Sequence, residues 1–252
     1  MNNSITFSLH DYHAVKSADI ELDGITVITG PNGCGKTTIA RRLCHTVKNT
    51  VFISSPEAVV GDEDLHALML RDDHAYEPPT EAKGIVEYIA DLLSGRIVVT
   101  DGETVFRTDG GGIPLRQLAS GYLVMACVCR LLANGTLDGS SLLVIDTPEA
   151  HLHPSWEAEL ARILVWLDKQ VGVRMLISTC DPQFLQAVKA IANKEGVLDS
   201  TIFYLAVADG EDGYIYRKLG QETIDIFESF NRVYDLIDTY GDEDYDGNDN
   251  GE

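Results

Sequence analysis

Residues 30–38 read Gly30, Pro31, Asn32, Gly33, Cys34, Gly35, Lys36, Thr37 and Thr38. Glycines at this spacing let the backbone curl until successive N–H groups face one point. A polyphosphate suits that cradle, because its oxygens accept many donors at once. Lys36 would reach the β and γ phosphates, and the Thr37 hydroxyl would ligate Mg²⁺. The apolar run Ile25–Thr29 reads as a strand leading in, and 36–47 reads as a helix leading out. That helix would add free N–H donors and the positive end of its dipole.

A second group stands about 110 residues further on. Leu142–Asp146 is an apolar run ending in an acid. A buried strand of this kind delivers one charge to the sheet edge, where a phosphate-bound Mg²⁺ would sit. Thr147, Pro148, Glu149, Ala150, His151, Leu152, His153 and Pro154 follow. Between the two groups, Ser120 and Gly121 open a helix expected over 121–132. Its free N–H groups could bind a γ-phosphate across an interface. The plainer reading is a serine helix cap followed by a glycine.

The order GPNGCGKTT, LASGY at 118–122 and LLVIDTPEAHLHP at 142–154 resembles the ATP-binding-cassette ATPases. The LHP ending marks the soluble branch that holds OLD-family nucleases and small AAA-family ATPases of bacterial defence systems. The SMC and DNA-repair ATPases are more distant relatives. The resemblance covers about residues 5–205. It implies an ATP-binding head with Mg²⁺. It also implies a head-to-tail dimer, or a larger oligomer, in which Ser120 and Gly121 of one subunit close over the nucleotide of the other.

Several positions depart from that family. Its base, a Glu directly after the magnesium Asp, is here Thr147, whose hydroxyl cannot take a proton at neutral pH. Glu149 is either the substitute base or a loop acid that orders the turn. The family's switch His is replaced by Cys180, within Ser178, Thr179, Cys180, Asp181 and Pro182. A thiol donates poorly to phosphate. No Gln lies between Lys36 and Gln117. Ser54 or Ser55 could take the place of the sensing Gln. His151 and His153 read as structural parts of the LHP turn rather than metal ligands. Tyr12 or His13 could stack on adenine, or serve in the core or on the surface.

These groups need a scaffold. Short apolar runs at 25–29, 51–54, 142–146 and 174–178 read as buried parallel strands. Helices are expected at 36–47, 81–93, 121–132, 155–169, 183–192 and 222–239, with Ser155 as an N-cap. Strands separated by helices give an α/β P-loop fold with a mostly parallel sheet. Segment 5–22 and a hairpin at 97–107 suggest a small added antiparallel piece. The expected organisation is one domain over 1–240, with a helical insert near 61–95. An acidic tail over 241–252 reads as disordered rather than as a calcium loop, because the twelfth ligand is missing. The insert is too short for coiled-coil arms and has no heptad run. No effector motif follows Asp181, so an effector would be a separate protein.

The 252 residues hold 40 acids against 19 Lys and Arg, a formal net charge of −21. Phosphate contacts need a basic surface, so strong nucleic-acid binding by this chain alone is not expected. Attraction to an anionic membrane is not expected either. No apolar run spans a bilayer, and the first residues do not read as a signal peptide. The cysteines at 34, 44, 127, 129 and 180 read as reduced cytoplasmic thiols. The sequence therefore leads to a slow or partner-dependent ATPase that dimerises on ATP and controls an effector, in bacterial defence or DNA repair. The alternative is a nucleotide-binding scaffold with degenerate catalysis. A transporter subunit would need the missing Gln, and a translocase would need a basic partner.

Overall fold

The computed structural model describes residues 5–71, 76–210 and 213–243, with side chains at 232–236 and 241–243 set aside. The chain opens with β1 (Ile5–Tyr12) and β2 (Val15–Leu22), an antiparallel pair. Next come β3 (Ile25–Thr29) and helix α1 (Lys36–Thr46). Strand β4 (Thr50–Ile53) leads into short helices α2 (Ala58–Gly61) and α3 (Glu63–Met69), then the longer α4 (Thr80–Leu93). Strands β5 (Arg96–Thr100), β6 (Glu103–Thr108) and β7 (Gly111–Pro114) precede α5 (Ser120–Ala133). Then follow β8 (Leu142–Asp146), α6 (Pro154–Trp166), β9 (Arg174–Thr179) and α7 (Pro182–Glu195). The last elements are β10 (Thr201–Ala208), β11 (Tyr214–Gly220) and α8 (Ile224–Glu243).

One sheet holds eight strands in the order β1-β2-β11-β10-β3-β9-β8-β4. From β10 to β4 every neighbour is parallel. All five side chains of β3 and of β8 are buried. Such strands need apolar residues on both faces, which is why they read as unbroken apolar runs. The period of two still sorts them. Ile25, Val27, Leu143 and Ile145 face the larger core beneath α4, α5, α6 and α7. Ile28, Leu142 and Val144 face the smaller core with Ile39 and Leu43 of α1. Crossover helices thus cover both faces and hold the strand ends in register.

The antiparallel material is divided. The β1–β2 hairpin joins the main sheet, where β2 pairs with β11. Only β5, β6 and β7 form a separate sheet. The expected small antiparallel piece is thus the β5–β6–β7 sheet, while segment 5–22 adds to the edge of the main sheet. Strands β10 and β11 lay outside the sequence expectation, although β10 is central. The N-cap of α6 is also corrected. It is His153, whose ring accepts from the Ser155 N–H at 3.3 Å, with Pro154 opening the helix. Proline suits that first position, where its missing N–H is not needed. The last helix starts and ends later than expected, running to Glu243. Residues 244–252 of the acidic segment lie outside the described residues.

The helical segment before β5 is gripped from α5. Buried Arg130 donates from Nε to the Met69 carbonyl and from Nη2 to the Arg71 carbonyl, both at 2.8 Å. Asn134 Nδ2 donates to the Leu68 carbonyl at 2.9 Å. These bonds tie down carbonyls at the end of α3, where the helix itself supplies few donors.

Candidate functional site

The expected phosphate loop is the turn between β3 and α1. Gly30 has φ +153 and Gly35 φ +98, both unfavourable for residues with a side chain. Space enforces the same choice. A Cβ at Gly30 would lie 2.6 Å from Ala206 Cβ, and one at Gly35 would lie 2.5 Å from Val15 Cγ2. The loop is therefore closed from beneath by β10 and β2. Pro31, Asn32, Gly33 and Thr37 are exposed. Cys34 is buried, and its carbonyl accepts from the Tyr216 hydroxyl at 3.2 Å. Burial and the neighbouring Cys34 raise the Tyr216 pKa, which keeps this donor protonated.

Lys36 is 8% exposed. Its ammonium donates to the carbonyls of Gly30 at 2.8 Å and Pro31 at 3.1 Å. The cation is thus held inside the loop by neutral acceptors, which a phosphate oxygen would replace with stronger charge-assisted bonds. Asp146 stands at the end of β8. Its Oδ2 accepts from Thr37 Oγ1 at 2.5 Å, across a separation of 109 residues. Its Oδ1 accepts from Ser178 Oγ. A carboxylate flanked by two hydroxyls is a hard oxygen donor set, which fits Mg²⁺.

Glu149 is 8% exposed. Its Oε1 accepts from Thr179 Oγ1 at 2.6 Å, while its Oε2 has no hydrogen-bond partner among the described residues. Burial pushes its pKa up to about 7, and the Thr179 bond only partly offsets that. Cys180 lies between the groups, in the fields of both Glu149 and Lys36, and burial raises its thiol pKa. Asp181 caps α7, accepting from the N–H of Gln183 at 2.7 Å and of Phe184 at 2.8 Å. Thr147 has φ +48, a left-handed conformation that is strained for a β-branched residue. Its N–H donates to the Ser178 carbonyl at 2.8 Å.

Other expected residues stand elsewhere. Thr38 lies within the first turn of α1. Ser120 opens α5, but the N-cap position is Ala119 and no side chain caps the helix. The reading of Ser120 as a cap is therefore corrected. Gly121 packs on the turn after β8, where a Cβ would lie 2.7 Å from Leu152 Cδ2 and 3.0 Å from the His151 carbonyl. No hydrogen bond among the described residues links Ser120 or Gly121 to the phosphate loop. His151 pairs with Glu57 at 3.2 Å, so both histidines of the turn have structural partners. Tyr12 lies against the guanidinium of Arg42, 4.1 Å from the ring centroid. Ser55 accepts from the Ala58 N–H at 3.3 Å at the entry to α2.

Sequence reasoning noted Ser178 and Thr179 but gave them no site role. Both belong to the site. Ser178 is paired directly with Asp146 in the parallel register, and Thr179 with Thr29. A usable signal was present: two hydroxyls at the end of a strand adjoining the acid strand.

The AAA domain family matches residues 7–46, the segment that contains the phosphate loop. A Thermotoga maritima protein described as a "Probable metal transport system ATP-binding protein" is 27% identical over 188 residues, covering 71% of this chain and 73% of that one. Among solved structures, an SmcHead bound to the C-winged helix domain of ScpA aligns with TM-score 0.60 at 10% identity. That alignment covers 86% of this chain and 98% of that one. The cbiO1 protein of Clostridium perfringens, part of the ABC transporter complex cbiONQ, aligns with TM-score 0.52 at 16% identity. It covers 91% of this chain and 92% of that one. The fold is that of an ABC-type P-loop ATPase head. No described helix is long and apolar enough to cross a membrane.

Proposed function

We propose that this chain binds ATP with Mg²⁺ and hydrolyses it slowly unless a partner completes the site. The observation that carries the reading is the meeting of Thr37 and Asp146. A phosphate loop and a distant strand-end carboxylate converge where one metal ion could touch both. Gly30, Gly33 and Gly35 would leave room for the phosphates, Asn32 and Cys34 would offer backbone N–H groups, Pro31 would shape the turn, and Lys36 would bind the terminal oxygens. Mg²⁺, held by Thr37 and Asp146, would neutralise charge that develops on the phosphates.

Hydrolysis needs a group to orient water. Thr147 cannot serve as a base, and Cys180 is a weak donor. Glu149 is the remaining carboxyl, with one oxygen free and a pKa near neutrality, where a general base works best. We assign it that role. Losing one transition-state contact costs about 10²–10³ in rate, which is why unaided turnover should be slow. The test is steady-state phosphate release. Glu149→Gln should abolish the residual rate while ATP binding persists. A rate unchanged in Glu149→Gln would remove Glu149 from the chemistry.

Thr147 and Cys180 also favour a second reading, a nucleotide-binding scaffold without turnover. Absence of phosphate release from a wild-type protein that binds ATP would select it. In either reading Ser120 and Gly121 would meet nucleotide only across a head-to-tail pair. A separate effector, and a role in bacterial defence or DNA repair, rest on the likeness of the LHP turn. The name of the Thermotoga relative raises a transport role instead, which the missing Gln disfavours.

A further inference from the structure

Helix α8 is packed at its start and uncovered further along. Ile226 is fully buried, and Phe227 and Phe230 rest against the main core. The ion pair of Arg217 with Asp225 ties this end to β11. Lys189 Nζ donates to Thr223 Oγ1 at 2.8 Å just before the helix. The same stripe then continues into solvent. Ile226, Phe230, Ile237 and Tyr240 fall on one heptad seam. Ile237 is 54% and Tyr240 64% exposed. With Ile224 at 63%, these are the most exposed large apolar side chains among the described residues, and all lie on α8. Single exposed apolar residues are ordinary on a protein surface. The placing of two of them, Ile237 and Tyr240, in line with the helix's own buried seam is not.

Charge selects what could cover the stripe. Residues 224–243 contain six acids and one base. A second copy would bring the same acids against these, within a chain already at −21. Like charges flanking a helical seam disfavour such pairing. Residues 244–252 add four acids and a single large apolar residue, Tyr245, so they offer no complementary apolar face. A helix with an apolar stripe flanked by Lys and Arg satisfies both demands. Amphipathic helices dock on apolar surfaces through anchors at this spacing.

We propose that the outer half of α8 is a docking surface for a basic amphipathic helix of a partner protein. The surface is separate from the phosphate loop, so the proposal stands or falls without nucleotide.

The test uses the full chain, nucleotide-free, and a fluorescent three-heptad peptide with Leu at a and d and Lys at e and g. One control replaces every Lys by Glu. A second keeps the composition but scrambles the leucine positions. Anisotropy should show binding of the Lys peptide and neither control. The double variant Ile237→Ser, Tyr240→Ser leaves the charge unchanged and should weaken binding by about tenfold or more. Both side chains are exposed, so its melting temperature should match wild type. Absence of binding, equal binding of the scrambled peptide, or equal binding to the double variant would overturn the proposal. Sedimentation showing that wild type self-associates through these two residues would also overturn it, in favour of a second copy.

Discussion

Glu149 concentrates the chemistry of the site in one carboxyl. Its folded pKa, pushed from 4.5 to about 7 by burial, means that the native state holds a proton which the unfolded chain releases. Between those values the native state binds more protons, so this group's contribution to stability falls as pH rises from about 4.5 to 7 and then levels off. Glu149→Gln keeps an acceptor for Thr179 and removes the titration. The stability of the variant relative to wild type should rise across that window, by up to about 3 kcal/mol. Denaturant melts at pH 5 and pH 8 measure this, and a parallel pH dependence in the two proteins would count against it. Thr147 belongs to the same scale. Its left-handed backbone marks a sharp turn at the end of β8, and Glu149 two residues later reaches the space beside Cys180.

At the scale of elements, the site is assembled by strand ends in register. β8 and β9 bring Asp146 level with Ser178, and β3 sets the loop beside them. Helix α7 then fixes the segment that holds Thr179. Asp181 caps this helix, so it serves a structural role where the resembled family has its switch segment. Asp181→Ala should cost about 1 kcal/mol through the lost cap. Asp181→Asn should keep most of that stability, and it removes a negative charge that raises the Glu149 pKa. Urea melts of the two variants separate cap from charge; equal losses would contradict the capping role. Much of this level was legible in the sequence. The loop, β8 and α5 announce themselves through glycine spacing and unbroken apolar runs. β11 did not, because Tyr, Arg and Lys in 214–220 mask alternation on a partly exposed strand, whereas the run TIFYLAVA of β10 carries the same apolar signal as β8. The hydroxyls of Ser178 and Thr179 were visible as residues, but their role emerges only from register.

At the scale of the molecule, the strongly acidic surface and the amphipathic α8 point toward association with basic partners. A cavity of about 760 Å³ lies between the phosphate loop at Gly30, Pro31 and Asn32 and the packed half of α8 at Asp225 and Phe230. The inner half of α8 therefore borders the nucleotide loop, while Ile237 and Tyr240 lie beyond the cavity. The measurement that bears most directly on the whole account is calorimetric titration of Mg²⁺-ATP into wild type and Lys36→Ala. Wild type should bind, and Lys36→Ala, stripped of the one buried cation of the loop, should bind about tenfold or more weakly. Equal affinity in the two proteins would contradict the assignment of residues 30–38 as the ATP site.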